Sequence, residues 1–122
     1  MGHIHKRVRL TGEKSATIRM LVDTGATYSV VPPSVARALG IEPPRRRVAV
    51  RLADGRRIRL GVDTAIVKID GREAAVTIAV GDIAEPVLGV EALEALGLVV
   101  DFRRKRLVPS RPYAVRLGGY RG

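Results

Sequence analysis

The sequence contains no cysteine, tryptophan, asparagine or glutamine, and its 122 residues include only one Phe and three Tyr. The absence of cysteine excludes disulfides and metal sites built from thiolates. Because aromatic residues make up only 3% of the chain, aliphatic side chains must fill its core. Few thermolabile residues beside many charged ones are typical of thermophilic proteins, although a GC-rich genome would also favour Arg and Ala.

Long apolar runs are also missing. No stretch approaches the roughly 18 apolar residues of a membrane span. The first ten residues, MGHIHKRVRL, lack the continuous apolar segment of a signal peptide. We therefore expect a soluble cytoplasmic protein with no membrane contact. The hydrophobic content of 46% suits one domain over 1–122 with a modest core.

The net charge is +10 at pH 7, and most of the cations are arginines. The basic residues concentrate in HKRVR (5–9), PRRR (44–47) and RRKR (103–106). Such a charge attracts nucleic acid, at least non-specifically. Each segment could equally be a solvated face or turn, because no aromatic residues are interleaved with the cations. His3 and His5 share one face of a predicted strand and could form half of a metal site, but no further ligand cluster accompanies them.

Alternating apolar residues predict a series of short strands. A first hairpin joins strands around Val8 and Met20 through the turn TGEKS. A second hairpin turns at Asp54-Gly55, and a third turns at Asp70-Gly71; both dipeptides are strong hairpin signals. A further strand is predicted over Leu98, Val100 and Phe102, followed by a basic turn. Residues 109–122 are expected to form a C-terminal strand or arm, with YAVRL as a candidate strand.

Two short helices interrupt the strands. Pro32 and Pro33 suit a helix start, and Gly40 suits its end. The segment GVEALEALG predicts a second helix that ends at Gly97. Many short strands, two short helices and glycine-rich turns together predict an all-β barrel or sandwich with helical decorations.

The segment MLVDTGATYSVVP (20–32) contains the most unusual residue of the chain. Asp23 ends an apolar strand, although Asp is a poor strand residue, and a buried carboxylate is costly unless it is hydrogen-bonded. Asp23 could simply end the strand in an Asx turn. Alternatively, Gly25 allows a sharp turn that points the carboxylate into a cleft. Asp63-Thr64 lacks the following glycine, so Asp23 alone combines an apolar strand with Thr-Gly-Ala.

The segment LVDTGATYSVVP resembles the active-site loop of retroviral-type aspartic proteases, the retropepsin-like group with single-domain subunits. A second segment, PVLGVEALEALGLVVD (86–101), resembles the apolar, glycine and helix motif that closes that loop from behind. The two motifs stand in the order that the family shows, with a hairpin between them, and the resemblance covers roughly residues 5–108. It implies a closed small β-barrel of the retropepsin-like acid protease type with one or two short helices.

The resemblance also implies roles for individual residues. Asp23 would be the catalytic carboxylate of an aspartic endopeptidase, paired with Asp23 of a second subunit in a symmetric homodimer. Thr24, Gly25 and Ala26 would support the active-site loop, with the Thr24 hydroxyl reaching the other subunit and Gly25 admitting the substrate backbone. The substrate pocket and the flap over it would be formed by Leu52, Ala53, Asp54, Gly55, Val87, Leu88 and Gly89, the last also allowing close packing behind the loop.

The sequence departs from the family pattern in two places. Thr27 and Val90 stand where viral relatives often carry an ion pair of an acidic residue and an arginine. Because both partners are missing together, no unpaired charge is left behind. The implied reaction acts on a polypeptide and needs neither metal nor cofactor. The alternative is a non-catalytic dimeric module of the same fold that contacts nucleic acid through its basic surface.

Overall fold

The computed structural model describes residues 3–51 and 55–110. Within them, strands dominate, and one short helix follows the third strand and another follows the seventh. In chain order the elements are β1 (His5–Thr11), β2 (Ser15–Val22), β3 (Ser29–Val31), α1 (Pro33–Ala38), β4 (Arg46–Arg51), β5 (Arg57–Ile69), β6 (Arg72–Val80), β7 (Val87–Leu88), α2 (Val90–Leu96), β8 (Leu98–Asp101) and β9 (Arg106–Pro109). Leu52, Ala53 and Asp54 of the expected flap and YAVRL of the expected arm lie outside the described residues.

The strands of the main sheet pair in the order β1-β2-β7-β3-β6-β5-β4, and β1 also pairs with β5. The pairings therefore return to their starting strand and close a six-stranded ring, to which β4 is added along β5. Most neighbours are antiparallel, but β2–β7 and β3–β6 are parallel. The predicted all-β fold of the retropepsin-like type is confirmed. β8 and β9 form a separate antiparallel pair.

The core of the ring is aliphatic, as the scarcity of aromatic residues requires. Its fully buried side chains come from the inward positions of the strands and from both helices. The largest of them are Leu10, Met20, Leu39, Ile69, Ile78, Leu88 and Leu96. The inward positions Val8 and Leu10 of β1 alternate with the exposed Arg7 and Arg9, which confirms the predicted half-exposed strand.

The longest strand, β5, was predicted as two separate strands. It runs without interruption from Arg57 to Ile69 because its two halves serve different neighbours. The first half pairs with β4, whereas the second half pairs with β1 and β6. The inward positions change phase around Gly61 and Val62, which are both buried. An alternation of apolar residues that changes phase in this way predicts two strands.

Both predicted helices are present. Pro33 occupies the first turn of α1, and Gly40 follows the helix with a φ of 73°. Gly97 ends α2 with a φ of 71°, a left-handed conformation that glycine adopts without strain. Among the described residues, neither helix is long and apolar enough to cross a membrane.

The prediction that Phe102 continues strand β8 is wrong. The strand ends at Asp101, whose Oδ1 accepts hydrogen bonds from the backbone N–H groups of Arg103 and Arg104, each at 3.1 Å. This side chain diverts the backbone into a turn, as Asp often does. Phe102 consequently lies in the turn and is 65% exposed.

Candidate active site

Strand β2 delivers Asp23 to the end of the ring. Val22 pairs with Leu88 in the parallel β2–β7 ladder, and the Asp23 N–H donates to the Leu88 carbonyl at 3.0 Å. Immediately afterwards the chain turns, because the Gly25 N–H donates to Asp23 Oδ1 at 2.9 Å and the Ala26 N–H donates to the Asp23 carbonyl at 3.2 Å. The Asp23 side chain is half-buried at this turn.

Gly25 lies close to the Asp23 carboxylate. Its φ does not lie in the left-handed region, so the turn does not depend on a backbone angle that favours glycine. A Cβ at this position would lie 3.2 Å from Asp23 Oδ1, closer than an ordinary van der Waals contact. Glycine therefore lets the backbone approach the carboxylate closely enough to donate a hydrogen bond to it.

Four consecutive residues of β7 and α2 hold the Asp23 loop from behind. Each of them contributes one backbone group to a hydrogen bond with the loop. The four bonds are Asp23 N–H to Leu88 carbonyl at 3.0 Å, Gly89 N–H to Ser29 Oγ at 3.0 Å, Val90 N–H to Ala26 carbonyl at 2.8 Å and Glu91 N–H to Thr27 carbonyl at 2.9 Å. The position of Asp23 is thus set by a segment more than 60 residues further along the chain.

Gly89 makes this support close-packed. A Cβ at Gly89 would lie 2.6 Å from both the carbonyl carbon and oxygen of Tyr28, and 2.9 Å from the Ala26 carbonyl oxygen. All three atoms belong to the backbone of the loop and cannot rotate away. The position therefore accepts only a residue without a side chain.

The expectation that Leu88 lines the pocket is wrong for this chain, whereas the same expectation for Val87 stays a prediction. The side chain of Leu88 is fully buried in the core, and Val87 is half-buried where β7 lies between β2 and β3. Neither residue lines the cleft beside Asp23. Leu88 therefore acts beneath the loop, because successive side chains of a strand point to opposite faces and that of Leu88 points into the core.

Glu91 extends the support to the neighbouring strand. Its Oε1 accepts the Thr77 backbone N–H at 2.9 Å, and its Oε2 accepts the Thr77 hydroxyl at 3.1 Å. The β3–β6 ladder begins one residue later, where Ser29 pairs with Ile78. On the β3 side of Thr77, the Glu91 carboxylate therefore takes the place of a strand partner. It also fixes the start of α2 against β6.

A cleft of about 660 Å³ opens beside Asp23. Apart from Asp23, its lining consists of one glycine, three alanines, two valines, one leucine, one threonine and one tyrosine. The lining residues are Asp23, Gly25, Ala26, Thr27, Tyr28, Val30, Ala49, Val50, Leu60 and Ala79. A single carboxylate in a mostly apolar cleft can act as a proton acceptor or donor toward a bound molecule.

A family comparison identifies this arrangement. The model of the gag-polyprotein aspartyl protease family matches residues 8–95. The chain belongs to this retropepsin-like family. No protein of curated function matches the sequence.

Among solved structures, the EIAV protease in complex with the inhibitor HBY-793 is similar to this chain. The TM-score is 0.62 and the sequence identity is 22%, over 79% of this chain and 89% of the viral chain. At this identity the likeness bears on the fold, and it agrees with the closed ring of strands described above.

The other predicted site residues of this retropepsin-like chain lie in the Asp23 loop and in the connection between β4 and β5. Thr24 and Gly25 are exposed at the tip of the loop, and Ala26 is half-buried behind them. Gly55, with a φ of 89°, lies in the connection between β4 and β5. The base of this hairpin reaches the cleft through Val50 and Leu60.

Several residues that contribute to the site were not predicted. Ser29 is buried and accepts the Gly89 N–H, Glu91 binds Thr77, and Tyr28 and Val30 line the cleft. The only local signal was the alternation after the DTG turn, which places Ser29 and Val31 on the inward side of β3. The hydrogen bonds from Gly89 to Ser29 and from Thr77 to Glu91 have no local signal in the sequence.

Thr27 and Val90 show how the loop is held without the ion pair of viral relatives. Both residues contribute backbone groups, since the Thr27 carbonyl accepts the Glu91 N–H and the Val90 N–H donates to Ala26.

His5, one of the two histidines considered for a metal, instead binds Glu85 through Nε2 at 2.9 Å. Across residues 3–51 and 55–110, no group of three or more His, Asp or Glu side chains could hold a metal ion.

Proposed function

We propose that this chain is an aspartic endopeptidase that hydrolyses peptide bonds with a water molecule activated by two Asp23 carboxylates. Membership of the retropepsin-like family and the fold support the reaction class. The observation that carries the proposal is the Asp23 carboxylate itself, fixed by the Gly25 N–H at the wall of a mostly apolar cleft.

The reaction requires two carboxylates in different protonation states. Two facing carboxylates do not both ionise easily, so the pair shares one proton, as is general for aspartic protease dyads. The ionised carboxylate accepts a proton from the water, which attacks the scissile carbonyl carbon. The protonated carboxylate donates a hydrogen bond to the carbonyl oxygen, and the pair then returns a proton to the leaving nitrogen.

The second carboxylate is proposed to come from another copy of the chain. No other Asp in these 122 residues is followed by Thr-Gly. A two-fold axis through the site brings two identical loops together, which is the commonest symmetry of soluble oligomers. The exposed Thr24 is available for the contact, and the terminal segment YAVRL is proposed to join it.

The substrate is proposed to be an extended polypeptide with apolar side chains beside the scissile bond. Apolar groups of the cleft, including Val30, Val50 and Leu60, offer no charge to a bound side chain. The flap, with Ala53, Asp54 and Gly55 at its tip, would cover the bound peptide.

Asp23→Asn tests the proposal, because it keeps the shape of the side chain but removes the proton acceptor. Asp63→Asn is the matched control, since Asp63 also precedes a threonine and lies outside the cleft. We expect Asp63→Asn to cleave a peptide library as wild type does, and Asp23→Asn to be inactive. Equal cleavage by wild type and Asp23→Asn would contradict the proposal. No cleavage by any of them would favour the non-catalytic binding module.

A mixing experiment tests the shared site. Excess Asp23→Asn chains, exchanged with wild type, should suppress activity by forming heterodimers that hold one carboxylate. Activity that follows only the amount of wild-type chain would show that each chain works alone. Sedimentation of the active species as a monomer would contradict the dimer in the same way.

A further inference from the structure

One outer face of the ring carries four cations from three adjacent strands. Arg7 and Arg9 project from β1, Arg19 from β2 and Lys68 from β5, and all four are exposed. Their registers place them side by side, because Arg7 pairs with Arg19 and Arg9 pairs with Lys68. We call these four residues the basic face.

The pairing of Arg7 with Arg19 and of Arg9 with Lys68 is unfavourable within the chain, although Lys68 also stands opposite Glu73 of β6. Residues directly opposite on antiparallel strands have Cβ atoms about 5 Å apart, and like charges at that distance destabilise the sheet. No ion pair involves any of the four cations within residues 3–51 and 55–110. Lys6, in contrast, points to the other side of β1 and binds Asp70 at 3.0 Å. An external polyanion would relieve the repulsion on the basic face.

We propose that the basic face binds the phosphate backbone of nucleic acid without reading its sequence. Three of the four cations are arginines, whose planar guanidinium groups bind phosphate oxygens in pairs. Thr17, which is exposed and stands opposite Arg9, adds a hydroxyl group. No aromatic residue occurs in β1, β2 or β5, so bases have no stacking surface and a membrane has no aromatic anchor.

The basic face is separate from the cleft. None of its four residues lines the cleft beside Asp23. Nucleic acid binding should therefore persist in Asp23→Asn, whether or not the chain proves to be a protease. Its function would be to hold the protein on nucleic acid while the cleft remains free for another molecule.

The test measures binding of a fluorescent DNA duplex of mixed sequence to the full chain between about 50 and 200 mM salt. The logarithm of the association constant should fall with the logarithm of the salt concentration by about 0.9 for each phosphate contacted, and hence by about 3.6 for four contacts. Arg7→Gln/Arg9→Gln should reduce that slope by about 1.8. The control Arg103→Gln/Arg106→Gln removes the same charge from exposed positions elsewhere and should leave the slope unchanged.

Three outcomes would overturn the proposal. Equal loss of binding in both double variants would show that only net charge matters. A larger loss in the control would move the site to the β8–β9 turn. Competition by polyglutamate as effective as that by unlabelled duplex would assign the basic face to acidic polypeptides. Thermal unfolding is the control for folding. Removing like charges from β1 should not lower the melting temperature.

Discussion

Gly89→Ala should destabilise the protein and misplace its carboxylate at the same time. The backbone angles at Gly89, with φ −94° and ψ 177°, suit any residue, so the whole effect is steric. The new methyl carbon would lie 2.6 Å from the Tyr28 carbonyl group and 2.9 Å from the Ala26 oxygen. Because those atoms are backbone, either the loop or the start of α2 must move.

The size of the effect follows from these contacts. Inserting a methyl group into a well-packed interior typically costs about 1–3 kcal/mol. If the loop moves, the hydrogen bond from Gly89 to Ser29 weakens as well, which adds about 1 kcal/mol. We therefore expect a loss of about 2–4 kcal/mol. For a domain of this size that corresponds to a melting temperature lower by roughly 10 °C.

Activity should fall together with stability. Displacement of a reacting group by about 1 Å can reduce the rate by about 100-fold. Peptide cleavage by Gly89→Ala, measured well below its melting temperature, should fall by about that factor. Because Asp23 itself is unchanged in Gly89→Ala, the loss of activity measures the contribution of the packing behind the loop.

Gly81→Ala provides the control for stability. Gly81 is also buried and has no positive φ, but a Cβ there would lie 3.4 Å from its nearest neighbour, Val30 Cγ1. It should unfold within about 1 kcal/mol of wild type. If Gly89→Ala were as stable and as active as Gly81→Ala, the close packing behind the loop would contribute to neither stability nor activity, contrary to the prediction.

Substitutions at two further positions address the same support, each measured by thermal unfolding and by peptide cleavage. Ser29→Ala removes the acceptor of the Gly89 N–H at a fully buried position and should cost about 1–3 kcal/mol; an unchanged melting temperature would contradict this. Glu91→Ala leaves the Thr77 N–H and hydroxyl without their acceptor and should cost about 1–3 kcal/mol. Glu91→Gln keeps one acceptor oxygen and should lose less; equal losses would argue against a hydrogen-bonding role.

The sequence predicted most of the elements because their signals are local. The hairpin dipeptide Asp70-Gly71, the Pro33 start of α1 and the Gly97 end of α2 each act within a few residues, and all three are found in the fold. Strand β5 was divided wrongly because its buried face changes phase at Gly61. Phe102 was misassigned because the side chain of Asp101, not the hydrophobic pattern, decides where β8 ends.

The site was only partly predictable for a related reason. The LVDTGA motif identified Asp23, but the partners that hold its loop come from distant parts of the chain. Glu91 looks like an exposed helix residue in its local pattern, and only the fold places its carboxylate on Thr77. Leu88 was assigned to the pocket because a motif does not say which side of a strand faces a cleft.

The closed ring also determines when the site can form. Its closing contacts join Arg9 to Lys68 and Val22 to Leu88, which are far apart in the chain. Contacts of this kind slow folding, to about milliseconds to seconds in small β proteins, because the entropy of a long loop is lost before the contacts that compensate for it have formed. During synthesis the ribosome delivers the Asp23 loop well before residues 88–91. A growing chain therefore carries its carboxylate in an unsupported loop, and the geometry around it is complete only when the start of α2 has been made and packed.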